Sequence, residues 1–451
     1  MKKITLFLMA AVLAMTTTAQ PARKAYFDRT AREEIEADKY LAASNYLEYD
    51  HQLTLQPLTP APKGYTPFYM SHYGRHGSRW LIAKDSYSSV VEPLRKAKQQ
   101  GKLTDKGAEL LGQLEAFLPT TIQRLGDLTT VGERQHHGIG KRMTQNFPEI
   151  FKSPNVCIDA RSTVVVRCIL SMVAECEELM AANPTAHIHN DVSQSLQYYL
   201  NAPHTGLVKA MGKKGRELRK QHNSRQQAER LMQVLFTDQQ WVNDSVDAGS
   251  IMYNLFEIAT NMQSHDTDID LYPLFTSDEI YEQWRVRNIG WYLDYGPAPQ
   301  TGGIMPFSQK NLLRNIIETA DTISLTQATL RFGHEVCVMP LACLLELDNC
   351  GVAVDNLDEL ENYWRNYRIY PMGSNIQLIF YRPISPQPSS LNLQPSSPIL
   401  VKALLNEREC TLPIPTTQYP YYDWATLRQY YLDKLADYER REAAETEKER
   451  D

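Results

Sequence analysis

Arg75-His76-Gly77-Ser78-Arg79 places two guanidiniums around one imidazole within five residues. Guanidinium forks match phosphate oxygens in bidentate geometry and keep their charge at any working pH. A neutral imidazole nitrogen can attack phosphorus and carry it as a covalent intermediate. Gly77 has no side chain, so it lets the backbone come close to a ligand. A solvated basic turn is the plain alternative for Arg-His-Gly alone. The apolar run just before it, Pro67-Phe-Tyr-Met-Ser71, and the Arg-x-x-x-Arg spacing favour a site.

Two further polar clusters follow predicted strands. Arg161-Ser-Thr-Val-Val-Val-Arg167 comes after 156–160, and Gly333-His334-Glu335 comes after 328–332. In all three places a strand ends in polar residues and a helix starts. Strands alternating with helices predict an α/β sheet, and such sheets bind ligands beyond the carboxyl ends of their strands.

Other elements must hold these ends in place. A charged helix is expected over 26–50, before a Pro-rich crossing at Pro57, Pro60 and Pro62. Leu110, Leu111, Leu114, Phe117, Leu118, Ile122 and Leu125 recur at helical spacing. Helices are expected over 132–147, after 160 (Val165, Ile169, Met172, Val173, Cys176), around 312–317 and around 341–345. Strands are expected at 375–381 and 399–405. The loop between them carries Pro383, Pro386, Pro388, Pro395 and Pro398 and cannot pair as sheet. A charged helix closes the chain from about 423. From 190 to 300 apolar residues thin and Gln, Asn and Tyr increase, which suggests an inserted cap. There are no repeats.

The chain of 451 residues carries 47 Lys+Arg against 53 Asp+Glu, a net charge of −6. That balance argues against nucleic-acid binding through overall charge. An anion must be held by a local basic cluster instead. Lys209, Lys213, Lys214, Arg216, Arg219 and Lys220 form one such cluster inside the expected cap. Facing the site, it would suit substrates with several phosphates; a solvated helix face is the competing reading.

Lys2 and Lys3 precede an apolar run from Ile4 to Met15, then Thr17, Thr18 and Ala19. This is the layout of a secretory signal, and the run is short of the roughly 20 residues that span a bilayer. Export to a periplasm or the exterior is expected, with no stable membrane insertion. Seven cysteines are read mostly as small core hydrophobes, with one or two disulfides among them. His136 falls on an apolar helix face and reads as a core histidine. His187-Ile-His189 is a weak metal signal without partner carboxylates. His72 supports Arg75 or simply packs. No metal and no cofactor are expected.

The motifs resemble those of the histidine phosphatase superfamily, in its acid phosphatase and phytase branch. Arg-His-Gly-x-Arg is similar to the signature of that branch. Leu128-Thr129 with Gly132, Gln135, Gly140 and Arg142 looks like its Leu-Thr…Gly…Gln…Gly helix. The 161–167 block resembles its second arginine block. Gly333-His334-Glu335 stands where the family has His-Asp, or His-Ala-Glu in the multiple inositol polyphosphate phosphatases. The resemblance implies a phosphoglycerate mutase-like three-layer α/β sandwich with a mostly helical inserted cap. On that reading 1–19 is the signal, 20–190 and 301–451 form the catalytic core, and 191–300 form the cap. His76 would be the nucleophile. Arg75, Arg79, Arg167 and His334 would hold the phosphoryl oxygens, with Arg161 a weaker candidate. Glu335 would protonate the leaving alcohol, near a helix N-terminus that lowers its pKa. Lys213, Lys214 and Arg216 would be cap contacts.

Glu335 departs from the pattern, because it directly follows the histidine. Its extra methylene moves the proton by about 1.5 Å relative to Asp. The implied activity is hydrolysis of phosphomonoesters, with inositol polyphosphates such as phytate as substrates, by a monomer whose partner is a phosphorylated small molecule. A broad-specificity acid phosphatase, a catalytically weak phospho-ligand-binding protein and a metal-dependent hydrolase are the alternatives.

Overall fold

The computed structural model describes residues 27–52, 56–201, 206–223, 228–322, 326–384 and 398–448. The expected signal at 1–19 and most of the Pro-rich loop lie outside the described residues. Eight strands form one sheet: β1 (Tyr65–Arg75), β2 (Cys157–Ser162), β3 (His187–Asp191), β4 (Ala328–Gly333), β5 (Asn375–Pro383), β6 (Leu400–Leu405), β7 (Arg408–Cys410) and β8 (Tyr422–Asp423). Their order is β3-β2-β4-β1-β5-β6-β7, with β8 beside β6. The first four in that order run parallel, and β5 pairs antiparallel with β1.

β1 sits near the middle and is buried from Tyr69 to Arg75. Its side chains alternate between two apolar layers, as strand geometry requires. Tyr69 and Tyr73 face a core that includes Leu312, Leu341 and Leu427, from the helices Lys310–Asp321, Glu335–Leu345 and Trp424–Lys448. Met70 faces the opposite core with Ile139, Met143 and Met172, from the helices Thr130–Asn146 and Val166–Ala182. The result is a three-layer α/β/α sandwich. A third cluster is helical and joins Ala31 through Phe117 with Ala228 through Trp284. Seen from the expected cap, the helices Asp85–Gln99 and Asp105–Phe117 pack with Glu229–Leu235 and Ala248–Asn261.

Several local expectations are corrected. The helix through Leu110 stops at Phe117, because Pro119 follows; Ile122 and Leu125 are exposed. The 26–50 stretch is one short helix, Ala31–Ala37, and a 3-10 segment, Lys39–Tyr46, kinked at Ser44. The His187-Ile-His189 pair belongs to the edge strand β3. The expected disulfides are not formed: all seven cysteines are free thiols. Six are buried, and their sulfurs face other groups, Cys410 the Ala403 carbonyl and Cys343 the Met339 sulfur.

Gly77 lets a second stretch of backbone come close. A Cβ there would stand 2.3 Å from the Gly132 carbonyl oxygen, and one at Gly132 would stand 2.2 Å from the Ser78 oxygen. The signature loop and the Thr130 helix therefore touch backbone to backbone. Gly132→Ala is expected to cost roughly 1–3 kcal/mol, because no flexible side chain can move aside. A lowered thermal midpoint checks this, and an unchanged midpoint contradicts it.

Candidate active site

The parallel pairing sets three strand ends side by side. Arg75 is opposite Gly333, and Ser162 is opposite Phe332. The His76 amide donates to the Gly333 carbonyl and the Thr163 amide to the Phe332 carbonyl, both at 3.0 Å. His76, Thr163 and His334 thus leave the sheet together at its carboxyl edge. Two helices begin there: Val166–Ala182, with Arg167 in its first turn, and Glu335–Leu345, with His334 as its N-cap. Their N-termini add partial positive charge to the same place.

His76 is buried, and its Nδ1 lies 2.8 Å from the Gly77 carbonyl oxygen. A carbonyl only accepts, so Nδ1 carries the hydrogen and Nε2 keeps its lone pair. Nε2 has no hydrogen-bond partner and lies 3.5 Å from Glu335 Oε2. Burial holds His76 well below the usual imidazole range, with help from Arg75 and Arg167.

Each arginine is fixed by one edge and free at the other. Arg75 Nη1 donates to the carbonyls of Asn45 at 2.6 Å and Tyr370 at 3.0 Å. Its Nε and Nη2 are buried without hydrogen-bond partners, though Nε is 3.2 Å from Glu335 Oε2. Arg79 Nη1 donates to the Trp80 carbonyl and Arg167 Nη1 to the Gly126 carbonyl, while both Nε groups are unpartnered. Arg79 Nη2 stands 4.0 Å from Glu335 Oε1. Burial alone would raise the Glu335 carboxyl, but Arg75, His76 and Arg79 outweigh it and hold it well below the usual range. The His334 ring centroid is 5.7 Å from that of His76, and its Nε2 is 3.4 Å from Thr163 Oγ1.

The structure brings Arg75, His76, Arg79, Arg167, His334 and Glu335 together. Arg161 lies elsewhere, paired with Asp159 and donating to the Tyr199 hydroxyl. It lines a cavity of about 960 Å³ at the sheet edge, between β2, β3 and the Val166 helix. Lys213, Lys214 and Arg216 are exposed on the helix Gly206–Asn223. Arg219, in the same cluster, lies across the helix Ser277–Tyr295 at Gly290 and pairs with Asp294 at 2.5 Å.

Sequence reasoning missed the wall formed by the Lys39 segment. Asn45 holds Arg75, and Tyr46 lies under Arg79, with Arg79 Cζ 5.3 Å from the ring centroid. Ser44 takes φ 58° and ψ −116° to make this approach. Such a backbone persists only where its surroundings fix it, and Asn366 Nδ2 donates to its Oγ at 2.7 Å. Gln135 is a second support: its Oε1 accepts from the Ser78 amide and its Nε2 donates to Ser78 Oγ. Gln135 was visible in the helix motif; the Lys39 segment carries no motif.

His76, His334 and Glu335 offer ligand atoms within 4.8 Å of one another, close enough for an ion. Three guanidiniums around them make the field attractive to anions and repulsive to cations. Among the described residues no helix is long and apolar enough to cross a membrane.

His72 does not support Arg75. It packs on the Phe332 ring at 5.3 Å, and both its ring nitrogens are unpartnered. Burial pushes it down to about 3, and burial likewise holds His265 and His334 down to about 4. In the unfolded chain these rings take up protons below about pH 6.5. Their contribution to stability is whole above that pH and is lost as pH falls towards the folded values. Each costs about 1.4 kcal/mol per pH unit across that window. His72→Phe is expected to flatten the slope of unfolding free energy against pH by about one proton between pH 6.5 and 4. Denaturant titrations at several pH values measure this; an unaltered slope contradicts it.

Fold and pocket together fit a phosphomonoester hydrolase, with one bare imidazole nitrogen set among guanidiniums. A model of the histidine phosphatase superfamily (branch 2) matches residues 74–406, and the chain belongs to that family. No curated protein matches it in sequence. Among solved structures it is similar to the multiple inositol polyphosphate phosphatase of Bifidobacterium longum in complex with inositol hexasulfate. The TM-score is 0.69 at 18% identity, over 86% of this chain and 96% of that one. The same enzyme with phosphate gives a TM-score of 0.63 at 19% identity, over 87% and 97%. The phytase from D. castellii gives 0.63 at 14% identity, over 89% and 85%.

Proposed function

We propose that this protein is an exported phosphomonoesterase that works through a phosphohistidine and acts on inositol polyphosphates such as phytate. The observation that carries the reading is His76, whose Nδ1 hydrogen is tied to the Gly77 carbonyl while Nε2 is bare among Arg75, Arg79 and Glu335. Nε2 attacks phosphorus, and the ester P–O bond breaks. The unpartnered edges of Arg75, Arg79 and Arg167, with His334, hold the equatorial oxygens. Glu335 gives its proton to the leaving alkoxide, which is otherwise a poor leaving group. Water then attacks the phosphohistidine, Glu335 takes the proton, and the P–N bond breaks to release phosphate.

Two lines support the finer points. The similar Bifidobacterium longum enzyme was solved with inositol hexasulfate and with phosphate. Lys2, Lys3 and the apolar run after them support export. Incubation with phytate, following released phosphate and the order of inositol intermediates, tests the reading. Turnover that survives a chelator agrees with it. If neither phytate nor a generic phosphomonoester releases phosphate while phosphate still binds, the protein is a binding protein of this fold.

A further inference from the structure

Arg287, on the helix Ser277–Tyr295, is the strongest unexplained group outside the pocket. Its side chain is only 9% accessible, yet Nε, Nη1 and Nη2 all lack hydrogen-bond partners. Buried donors are almost always satisfied, so this guanidinium is built to receive an acceptor. Its Cζ stands 4.7 Å from the Phe256 ring centroid and 5.4 Å from that of Tyr253. Its charged neighbour is Glu257, with Oε1 2.9 Å from Nη2 but out of line for a hydrogen bond.

The helix Ala248–Asn261 ties this group to the pocket. Tyr253, Glu257 and Asn261 are spaced by four and share one face. Asn261 Nδ2 donates to the Arg79 carbonyl at 3.0 Å. Glu257 comes one turn before it, about 5.4 Å along the axis, and its charge reaches Arg79 and Tyr46. Tyr253, another turn out, is 46% exposed and also feels Arg219. The row therefore runs from the catalytic arginine to solvent, with Arg287 beside its middle. Nearby on the Ser277 helix, Trp291 packs on Tyr370 at 4.9 Å, and the Tyr370 carbonyl holds Arg75.

We infer that Arg287 is a second anion subsite, which takes another phosphate of a polyphosphorylated small molecule while one phosphate lies at His76. The inference rests on the proposed function and deepens it. Glu257 is the resident counter-ion and competes with the incoming phosphate. A fork of charge-assisted donors in a desolvated place gives a large effect when removed.

Calorimetry with inositol hexasulfate and with inorganic phosphate tests it, the readout being the ratio of the two dissociation constants. Arg287→Ala is expected to raise the hexasulfate-to-phosphate ratio at least about tenfold, roughly 1.4 kcal/mol. Glu257→Gln is expected to lower the ratio severalfold, a direction that lost structural support would not produce. Arg428→Ala, at a remote surface ion pair with Asp321, should keep the wild-type ratio. An unmoved ratio in Arg287→Ala, or a raised one in Glu257→Gln, overturns the inference. Should Arg287→Ala fail to fold, the Glu257→Gln arm decides. A shifted ratio in a protein that never releases phosphate from phytate leaves the subsite standing and removes the proposed function. Turnover with an unmoved ratio does the reverse.

Discussion

His76→Ala is expected to lower turnover of any phosphomonoester by about four orders of magnitude or more, with phosphate binding retained. The size follows from the role: without Nε2 no P–N bond forms, and water must attack the ester directly. Removing a nucleophile that acts with a fixed set of partners costs as much as disabling the set. Binding should survive because Arg75, Arg79 and Arg167 are each anchored to backbone carbonyls, independently of the imidazole. Wild-type protein quenched during turnover should carry a phosphoryl group that is labile to acid and stable to base, and the variant should carry none. A variant within tenfold of wild type would falsify the covalent route.

Glu335→Gln is the second large effect, and its signature depends on the leaving group. Loss of a positioned general acid costs about 10²–10⁴-fold. An alkyl phosphate such as phytate should show the whole loss. With p-nitrophenyl phosphate the phenolate leaves without a proton, so the first step should stay fast. The second step also uses Glu335, as base, and should slow. The variant should then release a burst of p-nitrophenol near one per active site before a slow steady state. A uniform loss on both substrates without a burst would point to a structural role.

The same residue sets the pH behaviour. In the free protein Arg75, His76 and Arg79 hold Glu335 well below the ordinary carboxylate range despite its burial. A bound phosphate adds negative charge and engages those guanidiniums, which raises it. Turnover on alkyl esters should therefore fall as pH rises through the raised value, favouring acidic to neutral operation. Glu335→Gln should abolish that alkaline limb.

The candidate site cluster was legible in sequence because its members sit next to strand ends. Arg75 through Arg79, Arg167, and His334 with Glu335 each belong to a local strand-to-helix crossing. The rest depends on contacts distant along the chain. Asn45 and Tyr46 come some thirty residues before the signature in a segment with no motif, and only the kink at Ser44 aims them. Charge density in the 209–220 stretch does not by itself tell which side chains pack. Lys213 and Lys214 stand out in sequence and are exposed, while Arg219 lies against the Ser277 helix, and Arg287 sits two residues from Arg285 in a helix with no clear apolar stripe. A helix shows its face through neighbours at three and four residues, and a mixed polar surface blurs that signal. Gly77 was read for the right physical property, and its close approach to Gly132 is a second use of it that the sequence did not show.

The unpaired thiols bear on how the chain matures. Six of the seven cysteines are buried, five of them in the apolar layers and Cys168 beside His334, and none is paired with another. Chain entropy is then overcome by packing alone, with no contribution from loop closure. Refolding yield is therefore expected to be the same with and without a thiol reductant, in a reducing cytosol's conditions or an oxidising exterior's.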